Sequence, residues 1–202
     1  MKEFIYADNA ATTKLDVDAF EAMKPFLLEE YANPSQPYLF ARFAKNALKR
    51  SRAQIAECIG ALPEEIYFTS GGTESNNWVI KSSALSDSRK RPMITSQIEH
   101  HALLNACTSI ERLGYPVEYL PVNSNGEVIP ETLERMMEDR IRLVSVMFSN
   151  NEIGTIQPVD QLAKIAHSYG ALFHTDAVQA LGHLKLNVAE LDVDFLSASA
   201  HK

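Results

Sequence analysis

The sequence predicts an α/β fold: a mostly parallel β-sheet with helices on both faces. Helix-period and strand-period segments alternate in a βαβα rhythm, and strand segments such as Leu143-Val144-Ser145-Val146-Met147-Phe148 are close to continuously apolar, as strands buried on both faces must be. A chain of 202 residues, 46% apolar and 22% charged, is long enough for one sizeable core.

In chain order, Asp16 to Glu30 and Phe40 to Ile59 repeat apolar residues at three- and four-residue intervals and read as amphipathic helices. Glu65 to Thr69 reads as a short strand, and a glycine turn then opens a helix from Thr73 to Ala84. Ser82 to Pro92, rich in Ser, Asp, Arg and Lys, reads as an exposed loop. Strand Met93 to Ser96, helix His101 to Leu113 stopped by Gly114, and strand Val117 to Val122 follow. Next come helix Pro130 to Glu138, strand Arg142 to Phe148, and helix Pro158 to Tyr169, which ends at Gly170. Strands Ala171 to Thr175 and Phe195 to Ser199 complete the pattern.

A net charge of −7 argues against non-specific attraction to nucleic acid or anionic lipid, which would repel the average surface. The first eight residues carry acids where a signal peptide needs an apolar core, and no run of 18 apolar residues occurs. A soluble cytoplasmic protein, with neither nucleic-acid nor membrane partners, is the expectation. Two cysteines, Cys58 and Cys107, are too few for a disulfide framework and lack CxxC spacing. Both read as inert packing. The bases Arg42, Lys45, Lys49, Arg50 and Arg52 read as a solvated helix face.

Ligands of open parallel sheets gather at the carboxyl ends of the strands, so the residues standing there matter most. Ser70-Gly71-Gly72-Thr73-Glu74 is a glycine turn opening a helix, which presents free N–H groups to an anion such as phosphate. Its spacing matches neither the dinucleotide nor the nucleoside-triphosphate fingerprint. Asp176 ends a strand; its carboxylate can hold a ring-nitrogen proton or simply cap the turn Ala177 to Ala180. Gln179 can share that cavity or face solvent. His100 follows a strand and can stack on a flat ring and move protons, while His101 reads as a surface or capping residue. Asn150-Asn151-Glu152-Ile153-Gly154 is a polar turn whose amides can reach a ring oxygen. Lys202, behind the last strand, is a candidate Schiff-base nucleophile. Each residue alone has a bland reading. Together they match the needs of pyridoxal 5'-phosphate, whose ring acts as an electron sink when protonated at nitrogen.

The chain also resembles a known family. Tyr6-Ala7-Asp8-Asn9-Ala10-Ala11-Thr12-Thr13, Asn33-Pro34-Ser35, Thr69-Ser70-Gly71-Gly72-Thr73-Glu74-Ser75-Asn76-Asn77, Glu99-His100, Asn150-Asn151-Glu152-Ile153-Gly154, Asp176-Ala177-Val178-Gln179 and Ser199-Ala200-His201-Lys202 are similar to the motifs of the cysteine desulfurases. These are fold-type I pyridoxal-phosphate enzymes of the class V aminotransferase group, and the likeness is to the branch that serves iron–sulfur cluster assembly.

The resemblance implies that Lys202 binds the cofactor and later takes the substrate α-proton, with His100 stacked on the ring as the other catalytic residue. It implies that Asp176 pairs with the ring nitrogen, that Gln179 and Asn151 contact the ring hydroxyl, and that Gly72, Thr73, Ser199 and His201 hold the phosphate, with Ala200 in the same segment. Asn9, Ala10 and Asn33 would line the substrate side. Residues 1–15 would belong with a small domain and 16–202 with the large cofactor domain. The implied substrate is L-cysteine, the implied products L-alanine and a persulfide, and the implied partners a second copy of the chain and a sulfur acceptor or iron–sulfur scaffold.

In such a family the persulfide cysteine, the carboxylate-binding arginine and an antiparallel interior strand lie beyond the lysine, so none is expected within these residues. Gln36-Pro37-Tyr38 and Phe40-Ala41 depart from the family pattern, which leaves the substrate entrance open. Other readings are a selenocysteine lyase or aminotransferase, a non-catalytic fragment, or a metal-dependent hydrolase using His174 and Asp176 with His100 or His201.

Overall fold

The computed structural model describes residues 5–202. They form two compact units, 5–68 with His201, and 69–200 with Lys202. No helix among the described residues is long and apolar enough to cross a membrane.

The first unit holds α1 (Val17–Leu28) and α2 (Ala41–Ile59), then a 3₁₀ turn at Pro63–Glu65. Asp16 caps α1, its Oδ1 accepting from Asp18 N at 2.8 Å and Ala19 N at 3.1 Å, the expected role of an Asp just before a helix. Gly60 ends α2 at φ 71°, a left-handed cap that glycine adopts without penalty. Ala41, Ala56 and Ile59 are the buried apolar residues of this unit among those described.

Glu65 to Thr69, expected as a strand, forms none: Glu65 closes the 3₁₀ turn and 66–69 have no regular structure. Ile66 has extended dihedrals, but an extended segment becomes a strand only when a neighbour completes its ladder. Here the Arg52 guanidinium binds the Ile66 carbonyl instead, and Arg52 lies 4.9 Å from the Phe68 ring centroid. Cys58 also departs from expectation, being exposed on α2 rather than packed.

The second unit is a five-stranded parallel sheet. It runs α3 (Gly72–Leu85), β1 (Met93–Ser96), α4 (His101–Glu111), β2 (Val117–Leu120), α5 (Pro130–Met136), β3 (Leu143–Ser145), α6 (Val159–Ser168), β4 (Leu172–Asp176), α7 (Val188–Leu191) and β5 (Phe195–Ser197). The strand order is β2-β1-β3-β4-β5, with Met93 opposite Leu143 and Leu143 opposite Leu172. The chain keeps bonding to β4 past β3, with Val146 N to His174 O at 3.1 Å and Phe148 N to Asp176 O at 2.9 Å. The expected loop at 82–92 starts later than predicted: Ser82 to Leu85 finish α3, where Ser83 and Ala84 are buried.

Side-chain alternation along the strands sorts the core into two layers. Met93 and Leu143 pack with Ile80 and Ala84 of α3 and with Leu103, Ala106, Cys107 and Ile110 of α4. Ile94, Val144 and Phe173 face the other way, against Leu133 of α5 and Val159, Leu162, Ala163 and Ala166 of α6. Both α4 and α6 present apolar residues at i, i+3, i+4 and i+7, the stripe a helix needs to cover a sheet. The path leaves β1 toward β2 and then returns across it to β3, so crossovers of one hand place α4 and α5 on opposite faces. That reversal puts a crevice at the carboxyl ends of β1 and β3.

The edge strand β5 is short and is pinned from behind. Asp194 Oδ2 accepts from Phe173 N at 2.7 Å and meets His167 Nε2 at 2.8 Å, and His167 Nδ1 lies 3.1 Å from Asp192 Oδ2. This ties the end of α6 to the entry of β5. Phe173 is fully buried on the interior strand β4. Replacing it with alanine is expected to cost about 3–5 kcal/mol through lost transfer energy and a cavity, read as a drop in the denaturant midpoint; a change below about 1 kcal/mol would contradict this account of the core.

Candidate cofactor site at the carboxyl edge of the sheet

The glycine turn acquires its shape from backbone constraints. Gly71 sits at φ 157°, ψ 178°, a region that only glycine occupies readily. A Cβ on Gly72 would stand 2.7 Å from Val178 Cγ2 and 3.9 Å from Ser199 Cβ. Valine is stiff at χ1, so any larger residue at 72 would push the first turn of α3 off the Asp176–Val178 turn. The leading N–H groups of a helix have no intrahelical acceptor, and here they open at that close approach. Glu74 in the same turn is bonded back on the backbone, accepting from Ser70 N at 2.6 Å, and that bond holds its carboxyl below the usual range.

Asp176 ends β4 and is buried. Its Oδ2 accepts from Asn76 Nδ2 of α3 at 2.6 Å, and its Oδ1 accepts from Val178 N at 3.0 Å. The bond to Val178 N is the turn-capping role expected of it, and the bond to Asn76 ties it to α3. Burial raises its pKa, opposed by those hydrogen bonds and by the electrostatic influence of His100 and Lys202. The imidazole and the amine thus each lie within electrostatic reach of the acid at one sheet edge. Ser199 adjoins Gly72 there, and Thr73 opens α3, its carbonyl accepting from Asn77 Nδ2 at 2.9 Å.

His100, rather than His101, caps α4. Its Nδ1 accepts from Ala102 N at 3.1 Å, which leaves the proton of the neutral ring on Nε2. Asn151 stands half-buried in a turn held by its neighbour: Asn150 Oδ1 accepts from Glu152 N at 2.8 Å, and Asn150 Nδ2 donates to Ile98 O at 2.9 Å. Gln179 is half-buried in the turn after β4, and Ala200 is exposed.

The remaining expected residues lie in the first unit. His201 Nδ1 meets Thr12 Oγ1 at 3.2 Å, and its carbonyl accepts from Thr13 N at 2.9 Å. Asn9 and Ala10 occupy a turn closed by Ala11 N to Asp8 O at 3.1 Å. Asn33 Oδ1 accepts from Ser35 N at 2.9 Å.

The metal reading of His174 and Asp176 does not survive. Both nitrogens of His174 are engaged, Nδ1 with Ser145 Oγ at 2.8 Å and Nε2 with Ser197 Oγ at 3.0 Å, so neither lone pair is free for a cation. No group of three or more His, Cys, Asp or Glu side chains suited to a metal occurs among the described residues.

Glu99 enters the sequence pattern only as the residue before His100, yet it is the chemically unusual group here. It is buried, its Oε1 accepting from Ser96 Oγ at 2.5 Å and Met147 N at 2.8 Å, while Oε2 has no partner. It bridges the crevice between β1 and β3. Burial pushes its pKa up to about 8, partly offset by those two hydrogen bonds. No periodicity announces such a group; an acid directly after a buried strand is the one signal the sequence offers.

Because the folded state holds the Glu99 proton more tightly, stability from this group is complete below about pH 4.5 and declines as pH rises toward 8. Glu99→Gln keeps the Oε1 acceptor and removes the charge. Urea midpoints measured from pH 5 to 9 should fall less steeply for the variant and exceed wild type above pH 8. A wild type that stays the more stable at pH 9 would refute a protonated Glu99.

The buried acid, the tautomer-fixed imidazole, the amine and a glycine turn with no room for a Cβ fit pyridoxal phosphate. Matches to known proteins agree. Residues 5–202 match the model described as aminotransferase class-V. The chain is 51% identical to cysteine desulfurase IscS of Dictyoglomus turgidum over 100% of its own length and 52% of that protein. It is 46% identical to the Methanosarcina thermophila protein of the same name, over 98% and 49%. Among solved structures, "SspA in complex with cysteine" superposes with a TM-score of 0.95 at 38% identity, covering 97% of this chain and 57% of that one. A NifS-like protein gives 0.93 at 40% identity, covering 96% and 54%. The chain thus spans about half the length of the curated relatives it matches. With matching motifs, sheet and whole-chain family model, this polypeptide belongs to the class-V aminotransferase family of pyridoxal-phosphate-dependent enzymes.

Proposed function

We propose that this chain is the cofactor-binding part of a cysteine desulfurase, which removes sulfur from L-cysteine to give L-alanine and a protein-bound persulfide. The observation that carries the reading is the convergence of Asp176, His100 and Lys202 beside the α3 glycine turn. When bound, pyridoxal phosphate supplies a protonated ring that accepts electrons from the substrate α-carbon.

The chain's own groups divide the remaining work. The first turn of α3, with Thr73 and Ser199, holds the phosphate. Asp176, kept in place by Asn76 and Val178, keeps a proton on the ring nitrogen; its burial makes that charge-assisted bond strong. Lys202 supplies the amine that holds the cofactor and then accepts the α-proton at Nζ. His100, whose Nδ1 caps α4 so that the neutral ring carries its hydrogen on Nε2, would stack on the ring and move protons there. Asn151 and Gln179 would serve the ring hydroxyl; the phosphate role of His201 and the substrate roles of Asn9, Ala10 and Asn33 rest on the family resemblance alone.

The structural neighbour SspA is a complex with cysteine, and the relatives' names favour desulfuration over transamination or selenocysteine cleavage. On the same likeness the protein acts in the cytoplasm as a homodimer and passes sulfur to an acceptor such as an iron–sulfur scaffold.

The complete protein loaded with pyridoxal phosphate should show a visible absorption band and release alanine from L-cysteine. Lys202→Ala should abolish the band and lower alanine release at least about 1,000-fold, a loss of about 4 kcal/mol of barrier lowering or more. A band that survives the substitution, or cysteine converted without alanine, would sink the assignment.

A further inference from the structure

One polar chain runs through the core without a part in the chemistry above. Ser145 Oγ lies 2.8 Å from His174 Nδ1, His174 Nε2 lies 3.0 Å from Ser197 Oγ, and Ser197 Oγ lies 2.8 Å from Ser75 Oγ. It crosses β3, β4 and β5 and ends on α3. Ser145, His174 and Ser197 are 0–1% exposed. One register step toward the amino ends, the same face carries Leu143 and Leu172, both apolar.

A buried imidazole is tolerable only when both nitrogens are paired. This one is: burial pushes its pKa down to about 3, so it is neutral, with one donor and one acceptor nitrogen. Every link can then be made in either of two directions, Ser145 to Ser75 or the reverse. Apolar contacts are non-directional and let a helix slide; hydrogen bonds of fixed length do not.

The helix end of the chain explains what is held. Gly72, Ser75 and Asn76 lie at i, i+3 and i+4, one face of α3. Gly72 packs on Val178, Ser75 is bound through Ser197 to His174, and Asn76 is bound to Asp176. Two successive inward side chains of β4, His174 and Asp176, therefore grip two successive residues of the helix whose first turn forms the anion cradle.

We propose that Ser75, Ser197 and His174 are positioning residues that fix the first turn of α3 against the carboxyl edge of β4 and β5, so that the cradle meets the phosphate of the cofactor. This rests on the pyridoxal-phosphate reading and assigns its phosphate affinity to a network that never touches phosphate. Ser75 and Ser197 act through helix placement, alongside the Asn76–Asp176 bond, which holds the same helix to β4 and also fixes the acid.

The test compares pyridoxal phosphate with pyridoxal, which lacks the phosphate, in the complete protein by absorbance titration. Ser75→Ala removes one hydroxyl from a half-exposed helical position and should leave the fold intact; Ser197→Ala breaks the same chain at its buried link. Each is expected to raise the Kd for pyridoxal phosphate about five- to tenfold, the equivalent of one hydrogen bond. The Kd for pyridoxal should change less than about twofold. Equal weakening of both ligands, or of neither, in either folded variant would overturn the proposal, since a general loss of structure moves both together. A wild type that binds pyridoxal phosphate no better than pyridoxal would instead overturn the cofactor reading on which the relay depends.

Discussion

The 2.6 Å hydrogen bond from Asn76 to Asp176 is the contact on which the site's geometry depends. It joins two buried groups, one on a helix and one at the end of an interior strand. A buried carboxylate is costly unless it is fully hydrogen-bonded. Asn76 and Val178 meet that demand, and in doing so they bring the glycine turn of α3 up to the strand end. The absence of a Cβ at Gly72 is then a requirement: the contact with Val178 leaves no space.

Burial also sets opposite electrostatic preferences within the same interior. Glu99 is driven toward its neutral acid form, and His174 toward its neutral base form. The two pull stability in opposite senses as pH changes. His174 binds a proton more readily when unfolded, so its contribution is whole above about pH 6.5 and is lost as pH falls toward 3. Glu99 contributes most at low pH. Near neutrality both groups are uncharged, and burial raises the pKa of Asp176 in the same interior against its hydrogen bonds from Asn76 and Val178.

The sheet topology explains why these groups meet at all. Reversal of the chain path at β1 opens a crevice between β1 and β3, and Glu99 and Asn150 tie its lips together through Met147 N and Ile98 O. A rigid crevice suits a flat ring, because the groups around it are placed before the ligand arrives.

Residue pattern alone determined much of this protein. The 3.6-residue stripes of α4 and α6, the apolar runs of β1, β3 and β4, and the Gly114 and Gly170 stops were all legible, because each follows from local burial demand. So were the acid at the end of β4, the histidine after β1 and the glycine turn, since strand ends of a parallel sheet are where ligands bind. Tertiary structure decided the rest. Glu65 to Thr69 has the composition of a strand but forms none: Glu65 closes the 3₁₀ turn and Arg52 takes the Ile66 carbonyl, and strand pairing is not a local property. His174 resembled a metal ligand until both its nitrogens proved to be engaged by serines far apart in sequence. Glu99 became a neutral acid because packing buries it, and a bridging one because Met147, 48 positions away, donates to its Oε1. Periodicity records which side of an element faces inward; the partner that each inward polar group finds there depends on how the elements pack.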